Sequence, residues 1–236
     1  MGLTSRSAPG ELRAHYEAQG RAVIASGRPI RCSEPTITRA VLELIQPHAE
    51  KLSRVLDVGC GSNLDYDLTL AELGVRIVAI DFTPSFLELA PKHPCIELQL
   101  ADATALPFES ESFDGVICSE VAEHVPDDQA VVNEIARVLR PRGLLVFTVP
   151  ILWNLARLRE MLRRRSLRVE MMEGHLREYT RRQALALLRP KFDVERVSPV
   201  PFGWHGPLGT PLDALVRSGL LARASKSFAA LARRRT

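Results

Sequence analysis

The chain predicts an α/β fold built on a doubly wound parallel sheet. Three observations carry that prediction. Apolar strand-like runs alternate with helix-like stretches from Arg54 to Val149, the pattern of right-handed strand–helix–strand crossovers. The first run, Val55-Leu56-Asp57-Val58, breaks into Gly59-Cys60-Gly61, where the missing Cβ atoms let the backbone turn sharply and approach a ligand. Successive runs end on an acid, Asp57, Asp81 and Asp102, and ligands of open α/β sheets bind beyond the carboxyl ends of the strands.

The elements follow in order. Residues 1–10 read as a loose tail, Glu11 to Ala25 as a helix bearing His15 and Tyr16, and Pro35 to about Gln46 as a second helix with Ile37, Val41, Leu44 and Ile45 at helical spacing. A strand at 54–58 hands over to a helix near 64–73 closed by Gly74, and a strand from Val75 to Ile80 leads into Asp81. Pro84 to Ala90 is a short helix with proline where the first turn tolerates it. Strands are expected at Ile96–Leu100, Phe113–Cys118 and Leu144–Val149, with a helix from about Asp127 to Leu139 and a turn at Pro141-Arg142-Gly143. Beyond Pro150 the pattern changes. A basic amphipathic helix is expected from Trp153 to about Arg165, a helix capped by Thr180 as far as Leu188, a strand at Phe192–Val197, a Pro- and Gly-rich stretch at 198–211, and a last helix ending in Arg233-Arg234-Arg235. The whole reads as one domain. Residues 1–50 supply N-terminal helices, 51–150 a ligand-binding core, 151–211 an acceptor-side lid segment with the last strands, and 212–236 a basic C-terminal helix.

Length and composition place the chain among globular proteins: 236 residues, 46% hydrophobic and 25% charged, are enough for a full core and too apolar for a disordered chain. No secretory h-region stands in MGLTSRSAPGELRAHYE, and the apolar run Leu144–Trp153 is too short to span a bilayer. Cys32, Cys60, Cys95 and Cys118 form no CxxC pair, so reduced thiols in a cytoplasmic protein are expected rather than disulfides, and no metal site is expected. The net charge of +3 hides an asymmetry, +11 over residues 151–236 against −8 over 1–150. A basic third of this kind suits nucleic acid, an anionic membrane or an acidic partner, and equally a solvated helical surface.

The spacing narrows the ligand. Asp81 lies 22 residues after Gly59, near the offset of about 20 expected of a ribose-binding acid. A dinucleotide turn requires G-x-G-x-x-G, and here the third glycine position holds Leu64. Asp57, two residues before the first glycine, would repel a pyrophosphate and suits a cationic amino-acid ligand.

VLDVGCGSN, the acid in VAIDFTPSFLELA, ADATALPFESESFDGVICSEVAEHV and EIARVLRPRGLLVFTVP together resemble the class I S-adenosylmethionine-dependent methyltransferases over residues 50–150. The resemblance implies a Rossmann-like sheet of seven strands, mostly parallel with an antiparallel last strand, and S-adenosyl-L-methionine as cofactor with S-adenosyl-L-homocysteine as product. It implies that Gly59, Cys60 and Gly61 follow the methionine part, with Asp57 near its ammonium through water or a backbone turn. Asp81 would bind the ribose diol, Phe82 lie against the adenine, Asp102 take the adenine amino group and the Ala103 N–H a ring nitrogen. The Ser119 carbonyl would face the ammonium, and Tyr16 would close over the methionine carboxylate. Two positions depart from the family pattern. Asn63 stands where the first motif ends in glycine and tolerates left-handed backbone, and Pro141-Arg142-Gly143 replaces Pro-Gly-Gly in a surface turn.

Acceptor-side residues are thinner on the sequence. His124, in Glu123-His124, and His175, in Gly174-His175-Leu176-Arg177-Glu178-Tyr179, are the candidates for catalysis, because imidazole titrates near neutral pH. Tyr179 is a lesser one, and Cys60 and Cys118 read as buried packing residues. The leading functional reading is methyl transfer to an oxygen or nitrogen of a small molecule. Alternatives are a macromolecular acceptor such as nucleic acid docked on the basic third, a cofactor-binding module without chemistry, and a nicotinamide oxidoreductase, which the missing third glycine opposes. Nucleic acid is disfavoured because no aromatics interleave the basic residues. Arginines at 157–168 opposite Leu155, Leu158, Met161 and Leu162 allow peripheral membrane contact.

Overall fold

The computed structural model describes residues 9–26, 35–151, 174–201, 209–218 and 225–236. The helices are α1 (Pro9–Ser26), α2 (Pro35–Ile45), α3 (Asp65–Glu72), α4 (Pro84–Leu89), α5 (Asp128–Val138), α6 (Arg181–Leu188) and α7 (Gly209–Arg217). The strands are β1 (Arg54–Val58), β2 (Arg76–Asp81), β3 (Ile96–Leu100), β4 (Phe113–Ser119), β5 (Leu139–Pro150), β6 (Phe192–Val200) and β7 (Ser227–Arg234), with 3-10 turns at Gln46–Lys51 and Ala122–His124. The helix expected at 153–165, its arginines to 168, and Cys32 lie outside the described residues.

The seven strands form one sheet in the order β3-β2-β1-β4-β5-β7-β6. β1 pairs in parallel with both β2 and β4, and β7 runs antiparallel between β5 and β6. Both faces are covered, which explains why the central strands are apolar at every position rather than alternating. Leu56, Val58, Val78, Ile80, Val116, Phe147 and their neighbours pack with Val131, Val132 and Ile135 of α5 and with Leu188 of α6. Val55, Ile77, Ala79, Ile117 and Val146 pack on the other face with Val41, Leu44 and Ile45 of α2 and Leu70 of α3. One polar residue breaks the pattern in β1: Asp57, fully buried, sits level with Ala79 and Ile117.

Local chemistry sets several element ends. The Asp127 side chain accepts the Ala130 N–H at the start of α5, and Thr180 with Gln183 closes a reciprocal capping box on α6, as the TRRQ run predicts. Pro141-Arg142-Gly143 bulges out of β5: Phe113 and Gly115 oppose Leu139 and Leu144, so the expected turn lies inside the strand. Pro199 sits in β6, which has a neighbour on one side only, where a missing N–H does no harm.

The C-terminal helix expected over 212–236 is not formed as such. A helix ends at Arg217, and Ser227–Arg234 is β7, buried along its first six residues. Ser-Phe-Ala-Ala-Leu-Ala has no period-two alternation because both faces of β7 are covered, and its alanines favour helix locally. Pairing with two strands outweighs that preference. The arginines at its end are ion-paired, Arg233 to Glu195 at 2.7 Å, Arg234 to Glu111 at 3.1 Å and Arg235 to Asp193 at 2.8 Å. These three arginines are therefore balanced by acids of this chain. No helix among the described residues is long and apolar enough to cross a membrane.

Candidate active site

The chain leaves β1 toward β2 and β3, then returns to β4 on the other side of β1. The loops after β1 and β4 consequently diverge and open a crevice at the carboxyl edge, the switch point of such a sheet. A cavity of about 740 Å³ occupies it, within the range of about 300–1,000 Å³ typical of small-molecule sites.

The turn after β1 forms one wall. Gly59 and Gly61 have φ of +74° and +61°, and a Cβ on Gly59 would strike the Val121 side chain. Its amides are tied inward, Gly59 N–H and Cys60 N–H to the Ile80 carbonyl at 2.8 and 2.9 Å, and Gly61 N–H to Asp81 Oδ2 at 3.0 Å. The left-handed residue that launches α3 is Leu64 (φ 54°), not Asn63. Leu64 is buried and lines the cavity, and its packing holds a conformation that costs a non-glycine residue about 1–2 kcal/mol.

Asp81 ends β2 with its carboxylate fixed. One oxygen accepts the Gly61 N–H and the other the Thr83 N–H at 2.8 Å. Each oxygen keeps a lone pair for a ligand, the arrangement a vicinal diol needs. Burial raises its pKa, opposed by these amide donors. Phe82 follows it on the cavity wall. Asp102 and Ala103 line the neighbouring stretch, with Asp102 Oδ1 accepting from Thr104 N–H at 2.8 Å and Thr104 Oγ1 at 2.7 Å. The loop beyond is pinned to α5, since Glu134 takes the Leu106 N–H and Arg137 donates to the Leu106 and Phe108 carbonyls.

Asp57 does not line the cavity. It lies beneath the turn, where Tyr66 Oη donates to it at 3.2 Å. Asp67 of α3, also fully buried, faces it, and no other side chain among the described residues hydrogen-bonds to Asp67. Burial raises both acids, Asp67 to about 7, and the Asp67 charge adds to the rise of Asp57, so a proton on the pair is favoured. Burial likewise pushes the Cys60 and Cys118 thiols well up, which removes them as nucleophiles.

The opposite wall comes from the loop after β4. Ser119 lines the cavity with its hydroxyl 2.9 Å from that of Thr148, and Glu120 beside it accepts the Thr148 hydroxyl at 2.9 Å and the Ser227 hydroxyl at 3.3 Å. Tyr16 of α1 reaches the cavity, its hydroxyl 2.6 Å from His124 Nδ1 and its ring edge-on to Phe82. Gly174 (φ +86°) is also required as glycine, because a Cβ there would meet the Tyr16 hydroxyl. His124 lines the cavity and lies 4.7 Å, ring centre to ring centre, from His175. His175 is buried and does not line it. Backbone bonds hold the two segments together, Leu176 N–H to the Glu123 carbonyl at 2.8 Å. Tyr179 acts in the same stitching: its hydroxyl donates to Asp128 at 2.7 Å and to the Ala122 carbonyl at 3.2 Å.

Nine of the residues expected on the cofactor side therefore border one cavity, and Asp57 supports it from below. Glu120 and the Asp67 partner of Asp57 were not singled out by sequence, and Leu64 was noted only as a missing glycine. The DYD run after the glycine turn was the available signal for Asp67, since an acid on the apolar face of a short helix is unusual.

An open α/β sheet with a glycine turn, an amide-held acid at the end of β2 and a cavity at the switch point is the arrangement in which such sheets bind ligands. Residues 56–147 match the family model described as a methyltransferase domain. That stretch, 92 of the 236 residues, is where the chain is similar to methyltransferase domains. Among curated relatives, a ubiquinone biosynthesis O-methyltransferase of Xanthomonas oryzae pv. oryzae is 38% identical over 99 residues, 39% of this chain and 41% of the relative. Its counterpart in Xanthomonas axonopodis pv. citri is 33% identical over 124 residues, 50% of each. The matches span half or less of those relatives' own length. Among solved structures, the Burkholderia thailandensis 1,6-didemethyltoxoflavin-N1-methyltransferase aligns with a TM-score of 0.66 at 20% identity, over 98% of this chain and 92% of that one. The [4+2]-cyclase SpnF aligns with a TM-score of 0.69 at 18% identity, over 100% and 98%. These likenesses establish the fold alone. A cyclase on the same scaffold means that activity has to be argued from the site.

Proposed function

We propose that the chain binds S-adenosyl-L-methionine in this cavity and transfers its methyl group to an oxygen or nitrogen of a small molecule. The observation that carries the reading is the Asp81 carboxylate, held by one backbone amide on each oxygen and bordering the cavity beside the glycine turn. In this reading Asp81 takes the ribose hydroxyls, Phe82 lies against the adenine, and Asp102 with the Ala103 N–H reads its edge. The backbone at Gly59, Cys60 and Gly61 passes close to the methionine part, and the Ser119 carbonyl faces its ammonium. Tyr16 closes over the carboxylate. Asp57 acts through the turn it supports and touches no ligand.

Transfer is an in-line displacement: the acceptor lone pair attacks the sulfonium methyl, the carbon–sulfur bond breaks, and S-adenosyl-L-homocysteine leaves as a neutral thioether. The protein contributes alignment and, for a hydroxyl, help in losing the proton. The names of the curated relatives support a small hydroxylated acceptor. The pairing of Arg233, Arg234 and Arg235 with acids of this chain weakens the case for a nucleic-acid acceptor.

Titration calorimetry with S-adenosyl-L-homocysteine tests the cofactor half, with one site per chain expected in the wild type and none in Asp81→Ala. A mass screen of phenolic, catecholic and amine acceptors tests the rest, a methyl-mass gain dependent on cofactor being expected. Failure of the wild type to bind would overturn the reading.

A further inference from the structure

Beneath the glycine turn lie two carboxyls with too few donors between them. Asp57 of β1 and Asp67 of α3 are both fully buried. Tyr66 Oη donates to Asp57, 3.2 and 3.4 Å from its two oxygens. Neither Asp67 oxygen accepts a well-formed hydrogen bond from an N–H or hydroxyl of the described residues. Asp67 reaches the Asp57 carboxyl instead, and two carboxyls hydrogen-bond only when one of them holds a proton. The arrangement is that of a dyad sharing one proton.

Among the described residues, the titratable groups that act most on the dyad are acids, a phenol and thiols. Asp65 of α3 acts on Asp67, and Asp81 of β2 acts on Asp57. The Tyr66 hydroxyl and the Cys60 and Cys118 thiols are kept neutral by burial. Burial also raises Asp67 to about 7, so the dyad keeps its proton below neutral pH. A buried anion with no cation beside it is stabilised by one brought close. The dyad and the cavity share a wall: Tyr66, which donates to Asp57, lines the cavity together with Gly59, Cys60 and Gly61.

We propose that Asp67 is a positioning residue for the cofactor: it shares a proton with Asp57, and the cofactor's ammonium, arriving over the glycine turn, expels that proton to solvent. The inference rests on the methyl-transfer reading, in which the ammonium lies at that turn. The carboxyl O–H bond breaks, the proton goes to water, and both carboxylates are left charged beneath a cation. A unit charge about 8 Å from a carboxyl, at an effective dielectric of about 20, makes it about 30-fold more acidic. Because binding releases a proton, affinity rises with pH until the free protein has lost that proton by itself. Asp67→Asn keeps an N–H donor to Asp57 and has no proton to lose, so its affinity lacks this dependence.

The test is calorimetry with S-adenosyl-L-homocysteine, which keeps the ammonium, on the full wild-type chain and on Asp67→Asn. The ratio of wild-type to variant affinity is expected to be about one near pH 5.5 and at least about fivefold near pH 8, a change that a purely structural Asp67 would not give. Near pH 7, heats measured in two buffers of different ionisation enthalpy are expected to show about half a proton more released by the wild type than by the variant. Asp67→Ser, which also lacks the carboxyl, is a second variant with the same expectation; where neither folds, proton release by the wild type decides, and none overturns the inference. An affinity ratio constant within about twofold across that range, or equal proton release in wild type and variant, overturns it and leaves the cofactor reading standing. No binding by the wild type at any of these pH values overturns both.

Discussion

Asp81 and Glu123 are carboxylates buried at the same edge of one sheet, and the fold treats them oppositely. Asp81 follows directly on β2, so the adjacent amides of Gly61 and Thr83 converge on it and each oxygen is held. Glu123 lies in a 3-10 turn after β4, has His124 Nε2 3.7 Å from its Oε1, and receives no hydrogen bond from the described residues. The first is preorganised to hold neutral hydroxyls. The second is pushed well above the ordinary carboxylate range, by burial first and then by the nearby Glu120, which favours its protonated form. A satisfied carboxylate makes a binding group; an unsatisfied one implies a cation or a proton still to come.

The largest expected effect is on the satisfied side. Asp81→Ala removes two charge-assisted contacts to a diol, each worth about 1.5–3 kcal/mol, and a fall of at least about 100-fold in S-adenosyl-L-homocysteine affinity is expected by calorimetry. Affinity within threefold of wild type would break the comparison at its base. Next comes Gly59→Ala, which adds a Cβ at φ +74° against Val121 and is expected to lower stability by about 1–2 kcal/mol in urea denaturation, with weaker cofactor binding.

The Asp57–Asp67 pair offers a third carboxylate to set beside these two. Asp67 is raised to about 7 in the folded protein by burial, from 3.8. The folded state therefore holds the proton more tightly than the unfolded chain, and stability falls as pH rises from about 4 to about 7, then levels off. Asp67→Asn carries no such loss. Its unfolding free energy in urea is expected to match wild type near pH 4 and exceed it by pH 8, by on the order of 2 kcal/mol given a proton shared with Asp57. An unchanged difference across that range would show that the pair does not titrate there. The smallest effect is Tyr16→Phe, which removes a hydroxyl 2.6 Å from His124 Nδ1. A loss of about 0.5–1.5 kcal/mol, or roughly threefold to tenfold in turnover, is expected.

The path from β1 to β5 was legible because each step depends on neighbours in sequence: apolar runs, a Cβ-free turn, and acids at strand ends 21 or 22 residues from one another or from the turn. Leu64 escaped the same reasoning. Its left-handed backbone is paid for by packing that no propensity expresses, and the residue suited to that conformation, Asn63, is not the one that adopts it. β7 escaped for a related reason, since a strand paired on both sides and covered on both faces reads in sequence as an alanine-rich helix.

By itself the sequence determined the class of sheet, its switch point and the acids at its strand ends, because these are set by short-range pattern. Tertiary structure decided which acids reach the cavity: Asp81 does, while Asp57 turns inward to Asp67. It also decided that His124 and His175 meet, their ring centres 4.7 Å apart. They stand 51 residues apart in the chain and acquire meaning only where the Glu123 and Gly174 backbones bring them together, since the charge balance of a buried group is fixed by its neighbours in space.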